Sequence, residues 1–231
     1  MNERLPSVAA YAPAAAAQTD RNRVLRNTYW LLALSMLPTV LGAWIGVSTG
    51  VVAAMGVGWS IGLFLIGAFG FMYAIERTKN TAAGVPVLLA FTFFMGLMLS
   101  RMLAFVLGYS NGSSLIMMAF GGTAGVFVAM ASLASVIKRD LTNFSKFLFV
   151  GAIVLLVAMV INAFVQSSAM MLALSVIAIG LFSAFLLVDL KRVIDGGETN
   201  YISATLAVYL DLYNIFQNLL ALLGVFGGER D

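Results

Sequence analysis

Seven apolar runs divide the chain, at 28–49, 51–75, 84–108, 113–137, 144–166, 168–190 and 203–225. Each approaches the ~20 residues that a helix needs to cross the hydrocarbon of a bilayer. The links at 50, 109–112 and 167 are short and uncharged. Those at 76–83, 138–143 and 191–202 hold Arg77, Lys79, Lys138, Arg139, Lys191 and Arg192. Ahead of the first run, residues 1–27 are polar or small, with Ala12-Pro13-Ala14-Ala15-Ala16-Ala17 followed by Arg21, Arg23 and Arg26. They read as a flexible tail, too polar for a signal peptide. The pattern predicts an all-α membrane protein: a tail over 1–27 and a seven-helix transmembrane domain over 28–227.

Composition supports this reading. The chain is 61% hydrophobic and 10% charged, with a mean hydropathy of +1.00. A soluble domain of this size has no use for so much apolar surface. The positions of the cations then set a direction. All Lys and Arg except Arg101 and Arg230 lie in the tail, in the three charged links, or one turn away at Lys146. The positive-inside rule therefore predicts a cytoplasmic N-terminus and, with seven spans, a C-terminus outside. Gly42, Gly46 and Gly50 read as the turn region between the first two spans. Folding those spans into one re-entrant pair would move the tail to the other side, against its four arginines. The net charge of +3 and pI near 9.3 thus orient helices and do not indicate a nucleic-acid partner. Cys and His are absent, which excludes disulfides, thiolate chemistry and a histidine pH switch. No internal repeat suggests an inverted-repeat transporter.

Two acidic residues stand inside apolar text, Asp189 in Leu186-Leu187-Val188-Asp189-Leu190 and Asp211 in Tyr209-Leu210-Asp211-Leu212-Tyr213. A carboxylate in hydrocarbon costs roughly 2.5–3.5 kcal/mol on insertion scales, so such residues are kept for pairing, cation binding or proton transfer. The predicted topology puts both in the cytoplasmic half of adjacent antiparallel helices. If they meet, the pair could share a proton near neutral pH, a switch that needs no histidine. Asn214 at i+3 and Asn218 at i+7 continue the face of Asp211, with Gln217 at its edge. This stripe reads either as the lining of a narrow wet path or as interhelical hydrogen-bond glue.

Other residues carry weaker signals. Arg77, beside Glu76 at the end of the second span, could latch onto a deprotonated aspartate pair, or could snorkel as an interfacial anchor. Arg101 sits about two turns from the outer end of the third span, snorkelling outward or lining an outer vestibule. Asn162 reads as a helix-packing hydrogen bond. Gly58/Gly62 and Gly121/Gly125 are spaced for close helix approach.

Three stretches together resemble the Bax inhibitor (transmembrane Bax inhibitor motif) family, in its bacterial branch. They are Lys138-Arg139-Asp140-Leu141-Thr142, Phe185-Leu186-Leu187-Val188-Asp189, and the string Tyr209-Leu210-Asp211-Leu212-Tyr213-Asn214-Ile215-Phe216-Gln217-Asn218-Leu219-Leu220. The resemblance covers about residues 25–227. It implies a bundle with the last helix at its centre, residence in the bacterial inner membrane, and a pH-sensing pair at Asp189 and Asp211 latched by Arg77. It also implies a pH-sensitive calcium leak, in which the permeant ion would meet the two aspartates transiently and no cofactor is required. Arg101 departs from the family pattern, where an apolar residue or Pro is expected, and would discourage cations at the outer mouth. Some bacterial relatives are associated instead with modulation of a membrane-bound AAA protease, for which the tail would be the handle.

Two enzyme-like or pigment-like alternatives fit poorly. Intramembrane aspartyl proteases also place one Asp in each of two successive helices. Their second Asp follows small residues, whereas Val208-Tyr209-Leu210 precedes Asp211 here. A retinal protein needs a Schiff-base Lys in its last helix, and the lysines of this chain (Lys79, Lys138, Lys146, Lys191) all fall at interfaces. The sequence is therefore expected to encode no enzyme.

Overall fold

A computed structural model describes residues 11–229, and among these it contains eight α-helices and no strand. They are α1 (Tyr11–Thr49), α2 (Val51–Ala54), α3 (Val57–Thr78), α4 (Gly84–Leu107), α5 (Gly112–Val136), α6 (Thr142–Val165), α7 (Ser168–Ile194) and α8 (Tyr201–Gly227). All except α2 are long and apolar enough to cross a membrane, which gives the seven spans expected from the sequence. Helices suit that environment because every backbone N–H and C=O inside the span is satisfied within the segment.

Three boundaries differ from the sequence reading. First, the segment read as a flexible tail over 1–27 is helical from Tyr11 and runs without interruption into the first span. Residues 1–10 lie outside the described residues. The Ala14–Ala17 run has the highest helix propensity of any residue type, and Pro13 sits in the first turn, where its missing N–H costs nothing. Second, the apolar run 51–75 is divided. Gly50 takes a left-handed conformation (φ 65°) that ends α1, and after the single turn of α2 the chain is extended at Met55 before α3 begins. Third, α7 continues past Asp189 to Ile194, so this aspartate lies inside a helix rather than at its end.

The last helix is the axis of the bundle. Among the spans, α8 has the largest buried share of its most apolar window, 44% against 11% for α3 and α6. It packs against α1, α3, α4, α5 and α7, while α6 leans on α7 at the periphery. Its large side chains face the core on several sides, with Ile202, Val208, Tyr209, Ile215 and Leu220 all buried. An aromatic ladder joins three helices: Phe71 to Phe91 (5.9 Å between ring centroids), Phe91 to Tyr209 (6.1 Å) and Tyr209 to Tyr213 (6.2 Å). Hydroxyl groups reinforce these contacts. The Tyr209 OH lies 3.0 Å from Thr39 Oγ1 of α1 and donates to the carbonyl of Thr92 in α4. The Tyr213 OH donates to the carbonyl of Met95, and Thr205 Oγ1 reaches the carbonyl of Thr28.

Helices α1 and α4 approach each other closely. A Cβ on Gly96 would run into the backbone of Thr39, and one on Gly42 into the backbone carbonyl of Phe93. Gly42 and Gly46 therefore serve a helix crossing and not a turn, leaving only Gly50 to make the turn. The Gly58/Gly62 and Gly121/Gly125 pairs, spaced for the same purpose, face open space instead. Spacing identifies a small face but not the direction it points.

Both ends of α8 are tied down. Asn200 caps its N-terminus by accepting from the N–H groups of Ile202 and Ser203. The same side chain donates to the carbonyl of Lys79 and to Oδ1 of Asn80, which fastens the α7–α8 link to the α3–α4 link. At the far end Asn111 donates to the carbonyl of Gly227 and accepts from the N–H of Glu229.

Candidate functional site

Asp189 comes from α7 and Asp211 from α8, two antiparallel neighbours in close contact along their length. Asp189 stands five residues before the end of its helix, roughly 8 Å of rise, and Asp211 ten residues after the start of its own, roughly 15 Å. Both are in the half of the bundle nearest the 195–200 link. Their carboxyl groups come within hydrogen-bonding reach of each other. Asp211 is buried (5% exposed), and its Oδ2 is the one buried side-chain polar atom among the described residues without a hydrogen-bond partner. Asp189 is partly buried. Leu186, Val188, Leu190, Val208 and Ile215, their neighbours along the two helices, are all buried.

Two carboxyl groups in such contact need a proton between them, because a pair of carboxylates has acceptors and no donor. The arrangement can therefore hold and release a proton inside an apolar core. With the proton gone it presents concentrated negative charge, with one oxygen already unpartnered. Among the described residues no group of three or more acidic side chains forms a larger cluster around it.

Arg192, one turn beyond Asp189, and Glu198 in the α7–α8 link are charged groups close enough to act on Asp189. Both were visible in the sequence, Arg192 as an i+3 neighbour of Asp189, but neither stands out from the other interfacial charges there. Arg77, the expected latch, lies elsewhere. It is exposed at the end of α3, where its Nε donates to the Tyr73 OH (3.1 Å) and its guanidinium stacks over the Tyr73 ring at 5.2 Å. Neither ion pair among the described residues, Glu76–Lys79 and Lys191–Asp195, includes Arg77 or the two aspartates. An exposed Arg with an aromatic one turn back stacks locally and keeps its charge in the polar zone.

Asn214 and Asn218 do continue the face of Asp211, and their amides turn back on their own helix. Asn214 Nδ2 donates to the carbonyl of Leu210 and Asn218 Nδ2 to that of Asn214, each at 2.8 Å. Their carbonyl oxygens stay free for another partner. Arg101 does not stand alone. Its Nη1 reaches the carbonyl of Met55 (3.4 Å) and Oγ of Ser60 (3.3 Å), and so supplies donors where the chain breaks between α2 and α3. Asn162 accepts from the N–H of Ser167 and closes the α6–α7 turn rather than bridging two helices. In the Lys138–Thr142 stretch, Asp140 accepts from both the N–H and the hydroxyl of Thr142, the first residue of α6.

Comparison with known proteins places this chain in a family. A family profile described as "Inhibitor of apoptosis-promoting Bax1" matches residues 21–228, nearly the whole bundle. An Escherichia coli K12 protein named "Modulator of FtsH protease YccA" is 37% identical over 88% of this chain and 90% of its own length. An uncharacterized protein of Neisseria meningitidis is 36% identical over 91% and 94%. An uncharacterized membrane protein of Vibrio cholerae is 35% identical over 91% and 92%. A bundle of seven spans built around its last helix, matched along its length by these relatives, belongs to the Bax inhibitor family of membrane proteins.

Proposed function

We propose that this protein is an integral membrane regulator that binds and modulates a membrane-bound AAA protease, and is not itself an enzyme. The observation that carries this reading is the 37% identity, nearly end to end, to the relative named as a modulator of FtsH protease. The same relative in another E. coli strain is named an inner membrane protein, and we assign this chain to the bacterial inner membrane as well. The positive-inside rule, applied to the arginines of α1 and the three basic links, puts the N-terminus in the cytoplasm and the C-terminus outside. The projecting turns of α1, with Arg21, Arg23 and Arg26, then lie on the side where ATP is hydrolysed and supply a polar handle for the protease.

The test is reconstitution of the full chain with a purified membrane-bound AAA protease in nanodiscs, alongside a variant lacking residues 1–26, which removes Arg21, Arg23 and Arg26. The full chain is expected to co-purify with the protease and change the degradation rate of a membrane substrate. The truncated protein should keep its spans and lose both effects. Absence of association and of any rate change with the full chain would overturn the reading.

A second reading is favoured by one specific observation, the contact between Asp189 and Asp211 with Oδ2 of Asp211 unpartnered. In this reading the pair is a proton-controlled gate for a cation leak, with calcium as the permeant ion and no cofactor. Arg192 supplies the nearby positive charge that Arg77 does not. A leak depends on the two aspartates and survives truncation of the N-terminus; protease modulation does the opposite.

A further inference from the structure

We propose that the cleft between the projecting turns of α1 and the α7–α8 link binds one phospholipid whose headgroup carries both a phosphate and a primary ammonium, as in phosphatidylethanolamine. Two adjoining cavities define the site. The outer one has a volume of about 940 Å³ and is walled by Asp20, Arg21, Arg23, Glu198 and Thr199 among others. The inner one, about 360 Å³, is lined by Trp30, Leu31 and Leu34. Asn27 and Tyr201 line both, so the polar cleft opens directly into the apolar groove.

The order of chemistry along α1 matches the profile of a lipid monolayer. Asn27, Trp30, Leu31 and Leu34 are spaced i, i+3, i+4, i+7 and share one face of the helix. From Arg23 to Leu34 that face descends roughly 16 Å, from guanidinium to hydrocarbon. Trp30 is 73% exposed and Leu34 44%, at the level where tryptophan marks the membrane interface. A soluble phosphate or amine would leave this apolar half of the site unused; an acyl chain fills it.

The charges select the headgroup. Arg21 and Arg23 offer planar donors suited to a phosphate, and the stem of Arg21 packs against Gly196 of the link. The cleft also contains carboxylates. Asp195 is taken by Lys191 at 2.6 Å. Among the described residues neither Asp20 nor Glu198 is in an ion pair, and one oxygen of Glu198 accepts the N–H of Asn200. Two guanidinium groups beside two carboxylates that are outside the ion pairs among the described residues complement a headgroup of both signs. A glycerol headgroup has no cation for the carboxylates, and a trimethylammonium has no N–H to donate.

Native mass spectrometry of the full-length protein, equilibrated with equal amounts of phosphatidylethanolamine, phosphatidylglycerol and phosphatidylcholine of one acyl composition, tests the assignment. The ethanolamine lipid should dominate the adducts. The Asp20→Asn, Glu198→Gln double variant should bring it down to the level of phosphatidylglycerol. The Arg21→Ala, Arg23→Ala double variant should weaken both by about tenfold, the size of one lost charge-assisted hydrogen bond. Trp30→Ala should weaken all three lipids alike, and free phosphoethanolamine should not displace the bound lipid. Equal adducts of the three lipids on the unmodified protein, or an ethanolamine preference that survives the carboxylate substitutions, would overturn the proposal. These residues are exposed or half-exposed, so the variants leave the bundle core intact.

Discussion

Asp189 and Asp211 belong to helices that run in opposite directions, yet their carboxyl groups meet inside the bundle. A pair that needs a shared proton is sensitive to any change that supplies a donor or removes an acceptor. Asp211→Asn does both, because the amide can donate to Asp189 with no proton present. We expect this variant to be at least as stable as the unmodified protein at neutral pH, measured by thermal unfolding in detergent. In proteoliposomes, calcium flux that varies between about pH 5 and 8 should become flat in both Asp211→Asn and Asp189→Asn, if the second reading holds. No flux above empty liposomes at any pH would remove the leak and leave protease modulation.

The Tyr209 hydroxyl joins α8 to α1 through Thr39 and to α4 through Thr92. Tyr209→Phe keeps the ring in the aromatic ladder and removes only these hydrogen bonds. A loss of about 1 kcal/mol in unfolding free energy is expected. An unchanged value would mean that the hydroxyl contributes nothing beyond its ring.

Gly96→Ala puts a methyl group onto the backbone of Thr39, which cannot rotate away as a side chain can. We expect about 1–3 kcal/mol of destabilisation, the usual cost of overpacking. Gly121→Ala, at a helical glycine with open space before it, is the control and should leave stability unchanged or raise it by up to about 1 kcal/mol. Equal effects of the two substitutions would contradict the assignment of the close crossing to α1 and α4.

Asp140 lies between the spans, and its carboxyl is held below the usual carboxylate range by the hydroxyl and then the N–H of Thr142. A group whose pKa is lowered on folding stabilises the fold above its unfolded value, about 4, and loses that contribution as pH falls through the folded value. Asp140→Asn keeps an oxygen that can accept from Thr142 without a titrating group. The melting temperature of the unmodified protein, relative to this variant, should therefore fall on acidification below about pH 4 and stay constant above about pH 5.

The spans were legible because a helix in lipid is apolar on every side, so no knowledge of packing is needed to find it. Asp189 and Asp211 were legible for the complementary reason, that a charge in such a run is expensive. What escaped the sequence depends on direction and register. Arg77 and Arg192 are both cations near the basic ends of helices, and nothing in their neighbours says which one lies near the aspartates. Gly42 and Gly96 each press against the backbone of the opposite helix where α1 crosses α4, whereas Gly58 and Gly121, with similar spacing, point away. The helical extension of α1 was missed because alanine and arginine make a helix without any apolar stripe to reveal it. Arg101 had a visible cost and no visible partner, since its acceptor is the main chain of Met55.

The unbroken course of α1 from Tyr11 to Thr49 has a mechanical consequence. A helix transmits tilt and torsion as a stiff rod, and between Tyr11 and Thr39 it spans roughly 42 Å. No loop intervenes to absorb a load applied at the projecting end. The rod is weakened at Pro38, where one backbone hydrogen bond is missing, and the next residue, Thr39, touches both Tyr209 and the surface of Gly96. A partner that leaned on the first turns would therefore deliver its leverage to the middle of the central helix.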